Sequence, residues 1–158
     1  MAGKANFIPQ GARSVTPYLI VDDAEGALAF YQKAFGATEK MRFEHQGKIG
    51  HAEIVIGDSS IMLADEYPDM DIRGPRTIGG TPVSIMLYVP DVDATVAKAV
   101  EAGADVQRPI EDKFYGDRGG SIIDPYGHIW HVATHVEDVP EDEMHRRLAA
   151  MDKRSEKK

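Results

Sequence analysis

Six histidines, 26 carboxylates and no cysteine define the chemistry open to this 158-residue chain. With no thiol, disulfides, thiolate metal sites and a cysteine nucleophile are excluded. His51-Ala52-Glu53 sets an imidazole and a carboxylate two residues apart, and His131 follows in His128-Ile129-Trp130-His131-Val132. Alternate side chains of a strand point to opposite faces, so His51 and Glu53 share one face while Ala52, Ile54 and Ile56 share the other. Trp130 and Val132 belong to such an apolar face, which leaves His131 opposite. These groups could be hydrogen-bonding pocket residues, or a two-His, one-carboxylate metal set. In an enzyme, Glu53 would be the proton-transfer base. Tyr115-Gly116-Asp117-Arg118 reads as a loop. Its Arg118 either grips an anionic ligand with a planar fork or pairs with Asp117 or Asp124, and both readings stand. His128 and His135 read as a turn and a strand-end residue, His45 as surface loop and His145 as the polar side of a tail helix.

The elements that must carry these groups come in a repeat. Val21-Asp22-Asp23, then Ala24 to Phe35, then Gly36-Ala37 has the form strand end, N-cap, helix, C-terminal glycine. Val89-Pro90-Asp91, then Val92 to Ala102, then Gly103-Ala104 has it again. Asp23 and Asp91 can accept from free amides at the helix start, and Gly36 and Gly103 can take the left-handed conformation that ends a helix. Ala27, Leu28, Tyr31 and Phe35 form one helical face, and Val92, Val96 and Val100 another. Strands are expected at 15–21, 38–44, 51–56 and 60–64, and again at 83–89, 105–110, 120–123 and 128–134, with Gly-Asp and Asp-Pro-x-Gly turns between them. The fold class is therefore α+β, with two tandem βαβββ modules forming a curled mixed sheet.

The first module spans 15–66 and the second 81–136. Residues 1–14 read as a flexible arm and 67–80 as a linker loop rich in Pro, Gly and Asp. Residues 137–158 read as an amphipathic tail helix, with Met144, Leu148 and Met151 on one face, and a frayed C-terminus. Alternation turns Pro17, Leu19 and Val21 inward and Thr16, Tyr18 and Ile20 away. It likewise turns Ile85, Leu87 and Val89 inward and Ser84, Met86 and Tyr88 away. The away face is either open to water or, if the sheet curls, the lining of a cavity for a small organic ligand. Tyrosines and methionine on that face favour the cavity. A formal net charge of −8 argues against nucleic acid and anionic membranes as partners. No apolar run at the N-terminus is long enough for a signal peptide or membrane span, so a cytoplasmic location is expected.

Several motifs then become familiar: Thr-Pro-Tyr-Leu-Ile-Val at 16–21, Phe-Tyr-Gln-Lys-Ala-Phe-Gly-Ala at 30–37 and His-Ala-Glu-Ile at 51–54. With Met-Leu-Ala-Asp-Glu at 62–66, Tyr-Gly-Asp-Arg at 115–118 and Asp-Pro-Tyr-Gly-His-Ile-Trp at 124–130, they resemble the vicinal-oxygen-chelate superfamily of glyoxalases, bleomycin-resistance proteins and extradiol dioxygenases, in its PhnB-like branch. The resemblance implies a glyoxalase/bleomycin-resistance fold and, in the enzymes, a divalent metal acting as Lewis acid. It places the metal ligands at Thr16, Met62, Ser84 and His131, of which only His131 is a strong donor. No resident cofactor is expected, and a divalent metal on His51, Glu53 and His131 is the alternative. The leading expectation is a binding module that sequesters a small organic compound or antibiotic. A metal-dependent lyase, isomerase or dioxygenase is the second, and action through protein contacts of the tail helix the third. By the same resemblance a homodimer is expected.

Overall fold

Each half of the chain builds one four-stranded mixed sheet with one helix against it, and the computed structural model describes Gly3 and residues 5–157. The elements of the first half are β1 (Tyr18–Val21), α1 (Ala24–Phe35), β2 (Thr38–His45), β3 (Lys48–Ile56) and β4 (Ser59–Asp65). A 3-10 turn (Pro68–Met70) and the short α2 (Pro75–Ile78) follow. The second half holds β5 (Ser84–Tyr88), α3 (Val92–Glu101), β6 (Asp105–Asp112), β7 (Asp117–Ile123) and β8 (Ile129–His135), then α4 (Glu141–Ser155). The strand orders, β1-β4-β3-β2 and β5-β8-β7-β6, are the same, with the first strand of each module parallel to its last. The α+β class and the duplicated βαβββ module are thus those of the sequence.

The helices form where capping and periodicity place them. The Asp23 carboxylate accepts from Gly26 N at 3.0 Å, and that of Asp91 from Ala94 N at 3.0 Å. Gly36 closes α1 in the left-handed region at φ 66°. Ala27, Leu28 and Tyr31 are buried, as are Val92 and Val96, but Val100 is exposed and Ala99 takes the inward place. A 3.6-residue period brings position i+3 from Val96 under the helix as readily as i+4. Beneath α1, Leu19, Val21, Ala52, Ile54 and Ile56 are buried. Pro17 is exposed instead, because it lies ahead of β1, where only its carbonyl is engaged, accepting from Met62 N. In the second half Trp130 and Val132 are fully buried, while Ile85, Leu87 and Val89 on and beside edge strand β5 are only half-buried.

The chain divides into two compact units, Met1–Pro82 with Pro125–His128, and Val83–Asp124 with Ile129–Lys158. In the first unit the 67–80 segment is not a bare loop. Besides its two short helices it is tied by Tyr67 and Ile72, whose backbones exchange hydrogen bonds, and by Glu66, whose carboxylate accepts from Gly74 N. The arm expected at 1–14 shows no helix or strand over its described residues, and Met1, Ala2 and Lys4 lie outside them. At the other end, Lys158 of the expected frayed terminus also lies outside. Helix α4 is held to its own unit by Arg147, which donates to both oxygens of Glu137 and to Phe114 O. Leu148 and Met151 on that helix remain exposed.

Candidate functional site

The sheet face turned away from the helix can be read row by row in each unit. In the first unit Tyr18, Met62, Glu53 and Met41 stand side by side across β1, β4, β3 and β2. His51 lies two residues before Glu53 on β3, paired with Phe43 of β2. The Tyr18 hydroxyl is 2.7 Å from His51 Nδ1, and His51 Nε2 is 3.1 Å from Glu53 Oε1. The carboxylate accepts only, so Nε2 carries the proton and Nδ1 accepts from the phenol. Phenol, imidazole and carboxylate thus form one chain, with the Phe43 ring 6.4 Å from the imidazole. Partial burial, and secondarily the charge of Glu53, push the Tyr18 hydroxyl above its ordinary pKa, which keeps it protonated.

Beside this chain lies a cavity of about 590 Å³, bounded by Tyr18, Ile20, Ala64, Tyr67 and Ile72 among others. Its edge carries His45, which is exposed but is the last residue of β2 rather than part of a loop.

In the second unit the matching row is Met86, His131, Ser121 and Arg108, across β5, β8, β7 and β6. Gly119 stands where the first unit has His51, two residues before its row. A Cβ there would lie 2.9 Å from Val132 O, and one on Gly120 would lie 2.7 Å from Arg108 O. The floor is bare because neighbouring backbone occupies the space. Over it opens a cavity of about 320 Å³ lined by Met86, Arg108, Lys113, Tyr115 and His131.

At one end of the same sheet, the Tyr88 hydroxyl donates to buried Asp117 Oδ2 at 2.9 Å. His135 donates from Nδ1 to Asp117 Oδ1 at 2.7 Å and from Nε2 to Asp138 Oδ1 at 2.8 Å. Asp117 above all, then Asp138, holds the His135 imidazolium above its ordinary pKa.

Two expectations change with these contacts. Asp117 and Arg118 begin β7 rather than ending a loop. Arg118 is engaged neither by Asp117 nor by Asp124: its Nε and Nη2 grip both oxygens of Asp93 at 2.9 and 3.0 Å, and Nη1 reaches Asp112 at 3.2 Å. Asp93 follows the N-cap of α3, a position that spacing alone does not connect to β7. The Asp124 carboxylate accepts instead from the indole of Trp130 at 2.9 Å. The Asp93 fork and Asp112 together engage all three guanidinium nitrogens of Arg118. Two cavity-lining cations, Arg108 and Lys113, escaped the sequence reading. Edge strand β6 carries register shifts on both sides of Arg108, and a bulge re-aims side chains against simple alternation.

A divalent ion fits poorly at the positions the resemblance assigns. Thr16 precedes β1, Met62 offers only a thioether and Ser84 an exposed hydroxyl, leaving His131 as the single strong donor. Three protein ligands are the usual minimum at a catalytic site of this kind. His51 and Glu53 bond to each other in the first unit, while His131 belongs to the second. Among the described residues no group of three or more His, Asp or Glu is placed to hold a metal ion. Nor is any described helix long and apolar enough to cross a membrane.

Comparison with known proteins agrees with the duplicated module. The Mycobacterium bovis protein Mb0911c is 41% identical over 141 residues, which cover 87% of this chain and 93% of that one. TioX from Micromonospora sp. ML1 superposes with a TM-score of 0.63 at 26% identity, covering 79% of this chain and all of TioX. The PhnB protein from Bacillus cereus shares the fold at a TM-score of 0.60 and 17% identity, over 77% of this chain and 99% of its own. Residues 13–132 match the model of one family throughout. The chain belongs to the Glyoxalase/Bleomycin resistance protein/Dioxygenase superfamily.

Proposed function

We propose that this protein binds and sequesters a small organic compound on its away-facing sheet surfaces, with no resident metal. The observation that carries this is the cavity of about 590 Å³, where two tyrosine rings and the side chains of Ile20, Ala64 and Ile72 meet a few polar groups. Such a lining gives an organic ligand apolar contact area and a small number of orienting hydrogen bonds. Exposed Tyr18 and Phe43, at 48% and 64%, are costly on a surface that nothing covers. Thr16, Met62 and Ser84, in place of ligating side chains, support the metal-free form. The protein acts as a cytoplasmic homodimer, with exposed Leu148 and Met151 of α4 as apolar surface for the partner copy. A thermal-shift screen of natural products against the full chain should raise the melting temperature for at least one compound. Replacing Tyr18 by Ala should abolish that shift. A screen without hits, beside metal-dependent turnover of any substrate, would overturn the reading.

One observation favours a second reading, a lyase, isomerase or dioxygenase. The Tyr18–His51–Glu53 chain connects a phenol to a carboxylate through an imidazole that can pass a proton between them. In that reading Glu53 is the final proton acceptor. Replacing His51 and His131 together should then abolish turnover without unfolding the protein, and surviving turnover would reject it.

A further inference from the structure

We infer that the second unit's cavity is a site for a small organic anion, a carboxylate or phosphonate on a compact apolar body. The inference rests on the binding reading above and adds the ligand's charge and its place in the fold. The cavity of about 320 Å³ is lined by Arg108, Lys113, His131, Tyr115 and Met86 over a floor that includes Gly119 and Gly120, and by no carboxylate. In a chain with 26 acidic side chains against 18 Lys and Arg, a cavity wall with three nitrogen bases and no acid is contrary to the average composition.

These donors are also largely uncommitted. Arg108 forms no ion pair among the described residues, whereas Arg42, Arg118 and Arg147 are each held by carboxylates. Among the described residues the Lys113 ammonium pairs only with Glu111, at 3.3 Å, and that carboxylate is exposed and does not line the cavity. The His131 imidazole makes no hydrogen bond among the described residues. Each is set there by the fold. Arg108 sits between the two register shifts of β6, directly beside buried Ser121 of β7. Lys113 is placed just past β6, where its backbone N–H donates to Asp117 O at 2.7 Å. Tyr115 then adds a phenol and a ring face. Arg, Lys and imidazole converging on a bare backbone floor can surround an anionic oxygen group with charge-assisted hydrogen bonds, while Met86 and Tyr115 contact an apolar ligand body. Gly119 is the device that leaves room, since a side chain there would collide with β8.

The test titrates the full-length protein with three probes of one shape: benzoate, phenylphosphonate and uncharged benzamide. Dissociation constants come from calorimetry, and the site from imidazole NMR shifts of His131. The two anions should bind about ten-fold or more tightly than benzamide and shift His131, as one or two charge-assisted hydrogen bonds require. Which anion binds better separates a carboxylate from a phosphonate ligand. Arg108→Gln and Lys113→Gln should each weaken anion binding about ten-fold and leave benzamide unchanged. Arg146→Gln, on exposed α4, should leave all three unchanged. Equal affinity for anions and benzamide, or anion binding indifferent to Arg108→Gln, would overturn the inference. So would the absence of any His131 shift. In that last case natural-product hits that depend on Tyr18 would still sustain the binding reading, so the two failures are distinct.

Discussion

The same row of four strands has been written twice in this molecule with opposite contents. In the first unit it reads Tyr18, Met62, Glu53, Met41, and in the second Met86, His131, Ser121, Arg108. Only the backbone register is held in common. The first unit spends its polar groups on each other, joining phenol, imidazole and carboxylate in one chain beside an aromatic cavity. The second leaves the side chains of Arg108 and His131 without a polar partner among the described residues, over a floor of glycine. Duplicated scaffold and divergent chemistry are thus separable: strand pairing uses the backbone in the plane of each sheet and helix docking uses one face, so the other face is free to vary.

The comparison can be broken most severely at a turn glycine. Gly116 has φ 97°, and a Cβ there would lie 2.0 Å from Glu137 O, whereas Gly47 has φ 74° with open space around it. Both substitutions to Ala meet left-handed strain, but only Gly116→Ala also forces backbone apart. It should cost about 3 kcal/mol or more against about 1 for Gly47→Ala, read from urea unfolding.

A second contrast concerns how each helix is tied to the last strand of its module. Asp65 of β4 accepts from Ala24 N and Ile49 N, both at 2.7 Å. At the matching place in β8, Thr134 accepts from Val92 N at 2.9 Å and donates to Val89 O at 2.8 Å. Removing Asp65 strands two amides and removes a charge-assisted pair. Asp65→Ala should therefore cost about 2–3 kcal/mol and Thr134→Ala about 1. Equal costs would mean that charge at this joint is immaterial.

Smaller again is the difference between the histidines. His51→Ala breaks two hydrogen bonds at half-buried groups and should cost about 1 kcal/mol, while His131→Ala should be close to neutral. A destabilised His131 variant would show that this imidazole has structural duties beyond the cavity. The mildest effect is a pH slope. The folded-state pKa of His135 is raised above its unfolded value, so its contribution is complete below about pH 6.5. It is lost as pH rises from there through the folded value. The melting temperature should fall gently across that window, and His135→Gln should flatten the profile.

Local signals made the frame legible. Asp23, Gly36 and Asp91 mark helix ends through hydrogen bonds with residues a few places away, and such short-range chemistry is written in the spacing itself. Tyr18, His51, Glu53 and Met86 were likewise readable, because β1, β3 and β5 alternate without interruption. Arg108 was harder to see, because it sits between two register shifts of β6 and a bulge re-aims side chains against simple alternation. The partner of Arg118 was hidden for another reason. Its partner Asp93 is 25 residues away on a different element, and charge pairing over that separation is decided by packing, with carboxylates abundant enough in sequence to suggest several wrong partners.

The turn at Pro125–His128 belongs to the first compact unit although it joins two strands of the second. There His128 Nε2 donates to Ile20 O at 2.9 Å, and Arg76 Nη1 to Pro125 O at 3.2 Å. During synthesis the ribosome must therefore release residue 128 before the amino-terminal unit has all its parts. A fragment cut at the apparent midpoint would be missing a piece of its own wall, so the boundary between the modules in sequence is no seam along which the protein can be divided.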